Sequence, residues 1–194
     1  MARYLCLGES METVEVMPAG PQERRAIENL FQLYTHDFSE NWAGTDRGDV
    51  DAEGRFMPYP LDSYWADATH IPLLFRIASH IVGFALLNRE SHAQAAVDWS
   101  IAEFFVLRKY RRGGIGTAAA HAAFARYPGI LEISVARKNV SALAFWRRTI
   151  SGFPGVQALT EDDVLTNDWN GPVLRFRVPD EHLERTAQSP SENS

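Results

Sequence analysis

The stretch Trp99–Leu107 is apolar on both faces of an extended strand. Trp99, Ile101, Phe105 and Leu107 fall on one side and Ala102, Phe104 and Val106 on the other. A strand of this kind needs cover on both sides, which predicts a central position in a layered α/β fold. Its one charge is Glu103, in phase with Ile101 and Phe105. After Leu107 the composition switches to Arg108, Lys109, Arg111 and Arg112, and Gly113, Gly114 and Gly116 then open an alanine-rich helix expected over about 115–126, stopped by Pro128-Gly129. Glycines let backbone N–H groups approach a ligand closely, and the unpaired amides and dipole of a helix start favour negative charge. The turn therefore reads either as a phosphate cradle or as an ordinary tight connection.

Familiar nucleotide signatures fit poorly. There is no Gly-x-x-x-x-Gly-Lys-Ser/Thr, and Gly114-Ile-Gly116-Thr-Ala-Ala119 places alanine at the third glycine position of a dinucleotide fingerprint. The closer pattern is Arg111-x-x-Gly114-x-Gly116, preceded by Glu103-Phe-Phe-Val-Leu107 and followed by Asn139-x-x-Ala142-x-x-Phe145-Trp146. With these three ordered segments, the chain resembles the GNAT superfamily of acyl-CoA-dependent N-acyltransferases over residues 71–155.

The resemblance implies an α/β (α+β) fold: a mixed, mostly antiparallel sheet of six to seven strands, about four flanking helices and a V-shaped splay between two central strands. It implies acetyl-CoA as cofactor, with coenzyme A as product. Backbone N–H groups across Arg111, Arg112, Gly113, Gly114, Ile115 and Gly116, with Thr117 beside them, would hold the pyrophosphate. The main chain of Val106 and Leu107 would bond the pantetheine arm. Asn139 would meet the pantetheine or the leaving end, with Ala142 and Phe145 lining its other side. Read from the residues alone, a plain helix cap is the alternative for Asn139.

At 194 residues and 45% hydrophobic composition the chain can bury one substantial core. The expected organisation is a flexible segment over 1–12, one N-acetyltransferase domain over 13–178 and a disordered polar tail over 179–194. A net charge of -6 argues against a general nucleic-acid binder. No apolar run approaches the roughly 18 residues of a membrane helix, and the N-terminus lacks a signal peptide's apolar stretch. A single cysteine, Cys6, fits a reducing compartment, so a cytoplasmic monomer or homodimer without membrane or nucleic-acid partners is expected.

Along the chain, Thr13–Met17 reads as a short edge strand, and residues 22–36 as an amphipathic helix whose Ala26, Ile27, Leu30, Phe31, Leu33 and Tyr34 face the core. From Asp37 to Asp67 the sequence is irregular, acidic and aromatic. In the resembling family this region forms the acceptor side of the cleft. A negative, aromatic-walled surface would suit a cationic amine, while a solvated loop with a few aromatic anchors is the plain alternative. Residues 70–78 and 81–87 predict a hairpin, 130–136 a parallel partner of the central strand, and 141–150 a helix capped by Asn139 or Ser141. Weak strand signals at 156–159 and strong ones at 172–178 complete the sheet.

Acyl transfer to an amine needs the thioester held, the amine deprotonated and the oxyanion met by a donor. Glu103 is the candidate general base, because desolvation on an apolar face raises a carboxyl's pKa toward neutrality. Its alternative is a structural glutamate paired with arginine or backbone amides. Asp98 and Glu132 are weaker candidates. Trp146 stands where many members of the family carry a tyrosine acid, and an indole N–H cannot protonate a thiolate. His36, His70, His80, His92, His121 and His182 show no metal-ligand spacing, so no metal is expected, and the absence of a Gly-x-Ser-x-Gly turn favours direct transfer in a ternary complex over an acyl-enzyme. The expected activity is acetyl transfer to a primary amine, with a small cationic acceptor. The rival is a non-catalytic acyl-CoA-binding or regulatory domain; a nucleotide-binding protein using Gly113–Gly116 is a third reading.

Overall fold

In the computed structural model, which describes residues 13–45 and 47–180, seven strands form one sheet: β1 (Val14–Pro18), β2 (Ile71–Ile77), β3 (His80–Asn88), β4 (Trp99–Val106), β5 (Gly129–Ser134), β6 (Gln157–Leu165) and β7 (Asn170–Val178). Their spatial order is β1-β2-β3-β4-β5-β7-β6. All neighbours are antiparallel except β4 and β5. The helices are α1 (Arg24–Ser39), α2 (Ser63–Ala66), α3 (Ile115–Arg126) and α4 (Val140–Ser151). The expectations for residues 1–12 and 181–194 lie outside the described residues.

One sheet face packs against α3 and α4 through a core that includes Leu73, Phe75, Leu87, Ile101, Phe124, Ile133, Ile150 and Phe176. The other face packs against α1 and α2 through Ile27, Phe31, Tyr64, Leu74, Phe84, Leu86 and Phe105. The doubly apolar β4 lies between them, as its composition requires. Phe124 is fully buried, and its loss to alanine would cost about 3–5 kcal/mol.

β4 departs from simple alternation. Leu86 pairs with Glu103 and Leu87 with Ile101, which leaves Ala102 as an unpaired extra residue. This β-bulge reverses the phase. Ile101 consequently joins Phe104 and Val106 on the α3/α4 side, and Phe105 belongs to the core under α1. The expected grouping of Ile101 with Phe105 is thus corrected, while Glu103 and Phe105 keep their common side.

α1 begins later and ends later than the hydrophobic stripe suggests. Pro21–Glu23 form a separate 3-10 turn, in which Glu23 accepts the Gly20 N–H at 2.9 Å and a 2.6 Å hydrogen bond from Arg76. Leu33, expected in the core, is 50% exposed. The β2–β3 hairpin turns at Ala78-Ser79, with Ala78 at φ 51. β6 runs well beyond the expected 156–159. It is an edge strand exposed at every residue but Val164, so no apolar alternation marks its length.

β4 and β5 pair only at Trp99 with Leu131 and Ser100 with Glu132. Beyond that point they diverge, and the cavities of the molecule open at the divergence.

Candidate active site

The chain leaves β4 through a 3-10 turn, Arg108–Tyr110, and reverses through Arg112 (φ 67) and Gly114 (φ 85). No side chain caps the following helix, and its first helical bond runs from the Ala118 N–H to the Gly114 carbonyl at 2.9 Å. The amides of Ile115, Gly116 and Thr117 thus lack helical acceptors. The two glycines differ in purpose. Gly114 supplies the left-handed backbone in open space, whereas a Cβ on Gly116 would lie 3.3 Å from the Phe145 ring and 3.8 Å from Val106 Cγ2.

This loop borders a cavity of about 540 Å³. Nine of the twelve expected cofactor residues line it: Val106, Arg111, Arg112, Gly114, Gly116, Thr117, Asn139, Ala142 and Phe145. Leu107, Gly113 and Ile115 lie outside the lining. Leu107 departs from expectation for a definite reason: its N–H donates to the Val82 carbonyl at 2.9 Å and its own carbonyl accepts from Tyr110 at 2.9 Å. Sequence reasoning does not place Asp37, Phe38, Glu40, Ser141 and Arg148 here. Asp37 receives Arg108 Nε at 2.8 Å and Arg111 Nη2 at 2.5 Å.

A second cavity of about 410 Å³ lies between α1, β4 and the divergent end of β5. Phe31, Trp42, Tyr59, Trp146 and Trp169 form much of its wall, and among the described residues Glu103 is its one carboxylate and Arg47 its one cation. Tyr34, Phe38, Phe104, Asn139 and Ala142 line both cavities, so the two spaces meet along that seam.

Burial raises the Glu103 carboxyl to a pKa of about 7, against hydrogen bonds from Tyr34 and Tyr59 that favour its ionised form. Among the described residues no cation pairs with it. Burial, and then the neighbouring Glu103 charge, hold the Tyr34 phenol well above its ordinary value. Tyr59 and Tyr64 are raised too, chiefly by burial. The arrangement is a carboxylate that titrates near neutrality, beside a tyrosine that lines both cavities.

The weaker base candidates have structural roles. Asp98 accepts the Ile130 N–H at 2.7 Å. Glu132 is fully buried and accepts from Ser91 Oγ at 2.6 Å and the His92 N–H at 2.8 Å. His121 Nε2 lies 2.8 Å from the Thr149 carbonyl, which accounts for it as a packing residue. Asn139 does cap α4, accepting the Ala142 N–H at 3.1 Å. Its amide NH₂ is not used by that bond.

Part of the acidic stretch is committed elsewhere. Asp62 pairs with Arg24 at 2.8 Å, Asp51 accepts the Glu53 and Arg55 N–H groups, and Asp67 accepts from Thr69. Its aromatic residues divide, with Trp42 and Tyr59 reaching the smaller cavity and Tyr64 the core beside it. Tyr34 reads in sequence as core packing or, like Tyr64, as a phenol that could swing in from the acceptor side in place of the missing tyrosine acid, and the one signal that distinguishes it is a hydroxyl on an otherwise apolar stripe. Among the described residues no group of three or more His, Cys, Asp or Glu side chains is placed to hold a metal ion.

Residues 27–153 match the model of the Acetyltransferase (GNAT) family, and the chain belongs to that family. Comparison with curated proteins returned no match. Among solved structures, an acetyltransferase from Thermus thermophilus aligns with a TM-score of 0.58 at 16% identity, covering 85% of this chain and 96% of that one. PaiA N-acetyltransferase from Thermoplasma acidophilum, solved with coenzyme A, aligns at 0.53 and 11% identity, with 86% and 99% covered. Spermidine N-acetyltransferase from Vibrio cholerae, solved with CoA and spermine, aligns at 0.52 and 11%, with 86% and 95% covered. At these identities the structures share the fold. Among the described residues no helix is long and apolar enough to cross a membrane.

Proposed function

We propose that residues 13–178 act as one domain that transfers an acetyl group from acetyl-CoA to a primary amine, without a covalent enzyme intermediate. The observation that carries this is the seam: a cavity bordered by an uncapped helix start meets a second, aromatic-walled cavity lined by Glu103, a carboxylate that titrates near neutrality.

The larger cavity suits the acyl donor. The amides at the start of α3 point positive dipole at an anion, and Arg111 and Arg112 add charge. Gly116 keeps the space between the helix and Phe145 clear. Val106 and Asn139 offer backbone and side-chain polar groups along the way to the seam, and Ala142 and Phe145 an apolar wall. The bound donor supplies an activated acetyl thioester.

The smaller cavity suits the acceptor. Its volume of about 410 Å³ fits a small molecule rather than a folded partner. An amine arrives at neutral pH as a cation, and aromatic faces attract such a group. Asp37, Asp51, Asp62 and Asp67 each hold a partner elsewhere, and the attraction comes from the aromatic walls and Glu103. Once ionised, Glu103 takes a proton from the amine and leaves a nucleophilic lone pair.

The test is thiol release from acetyl-CoA with a panel of primary amines: spermidine, tryptamine, phenylethylamine and a lysine-ended peptide. The proposal expects amine-dependent release that falls about 100-fold in Glu103→Gln. A folded protein that binds acetyl-CoA yet releases no thiol with any amine would leave only a binding role.

A further inference from the structure

We infer that Tyr34, on α1, is the acid that protonates the departing CoA sulfur, taking the place left by Trp146. This rests on the acetyltransferase reading above and assigns a residue to a step that the family pattern leaves empty in this chain.

The position after Phe145 cannot supply the proton. Trp146 is 6% exposed and packs edge-on against Phe104 and Phe145, each with ring centroids 4.9 Å away. Its indole N–H is no acid toward a thiolate. A replacement must reach both reactants, so it must line both cavities. Of the five residues that do so, Phe38, Phe104 and Ala142 have no side-chain proton to give, and Asn139 has only an amide. Tyr34 alone carries an ionisable O–H.

Tyr34 is also held for the purpose. Its ring stands edge-on to Phe31, Phe84 and Phe105, at centroid distances of 5.2, 6.1 and 5.9 Å. Its hydroxyl and the Glu103 carboxyl, which lines the smaller cavity beside it, perturb one another's titration. The tyrosine thus borders both the cavity of the group that receives the amine's proton and the cavity where sulfur leaves.

The protons balance through this pair. An ammonium that becomes an amide loses two protons, one to solvent and one to sulfur. Glu103 takes the first from the ammonium, passes it to solvent and is ionised again; as the C–N bond forms and the C–S bond breaks, it takes the second nitrogen proton, Tyr34 gives its own to sulfur, and the Tyr34 oxygen recovers one from Glu103. The Glu103 charge that strengthens the phenol's hold on its proton is removed by the same transfer. The phenolate therefore need not accumulate.

The experiment compares the wild-type protein, Tyr34→Phe and a set with fluorinated tyrosines at position 34, using acetyl-CoA and the amine panel above. Tyr34→Phe keeps the ring contacts and is expected to retain coenzyme A affinity and melting temperature while kcat falls about 10- to 1,000-fold. Among the fluorotyrosine proteins, which share the tyrosine's shape, kcat should vary with phenol acidity. Equal rates across that set, or a Tyr34→Phe rate within twofold of wild type, would overturn the role of Tyr34 while leaving the acetyltransferase reading intact. Absence of turnover by the wild-type protein that binds acetyl-CoA overturns both.

Discussion

Arg111 donates from Nε to the backbone carbonyl of Val106 at 2.7 Å, and from the same guanidinium reaches Asp37 at 2.5 Å. It thereby ties the end of β4 to α1 across the mouth of the larger cavity. Asp37 also holds Arg108 at 2.8 Å. Two cations of the basic loop are committed to one carboxylate that lines a cavity suited to phosphate.

This arrangement predicts that Asp37→Asn strengthens coenzyme A binding. The substitution removes a negative charge near the ligand and frees Arg108 and Arg111, while the exposed ion pairs it breaks are worth only about 0–1 kcal/mol. The dissociation constant measured by calorimetry should fall about two- to tenfold, and the gain should shrink at high salt.

The titration of Glu103 predicts how rate and stability change with pH. Amine acetylation should rise with pH and reach half its plateau near the Glu103 pKa of about 7, and Glu103→Gln should lose that limb. Stability moves the opposite way. The folded state holds the Glu103 proton more tightly than the unfolded chain, whose carboxyl has an ordinary value of 4.5. The stabilisation is therefore full below pH 4.5 and is lost as pH rises through about 7. Above that pH the Glu103→Gln protein should melt at a higher temperature than wild type, and the difference should vanish in acid.

Glu132 should matter to stability rather than turnover. It is fully buried on β5 and receives Ser91, the His92 N–H and, at 3.3 Å, Ser134, which fixes the β3–β4 connection to the sheet. Glu132→Ala would strand those donors and cost about 3–5 kcal/mol. Chemical denaturation should show that loss, with the pH at half-maximal rate unchanged because Glu132 lines neither cavity.

Much of this is readable in local sequence. The strand–loop–helix unit, the limits of α3 and the Asn139 cap follow from short-range pattern, since glycine, proline and a two-faced apolar run act over a few residues. The long-range features do not follow. Nothing near Ala102 announces the bulge that reverses the phase of β4. The convergence of Tyr34 and Tyr59 on Glu103 joins residues far apart in the chain. The acidic run after α1 suggests a negative cleft by composition, but composition does not record that Asp37, Asp51, Asp62 and Asp67 each have a partner. β6 outruns its sequence signal because an exposed edge strand needs no apolar alternation.

The most direct measurement is calorimetric titration of the protein with acetyl-CoA, repeated on the variant Gly114→Asp plus Gly116→Asp. A carboxylate at Gly116 meets Phe145, and both substitutions set negative charge in the proposed phosphate cradle. The expected result is tight binding by the wild-type protein and none by the variant, with the variant still folded by circular dichroism. A folded wild-type protein that does not bind acetyl-CoA, or a variant that binds it equally well, would contradict the assignment of this loop as the donor site.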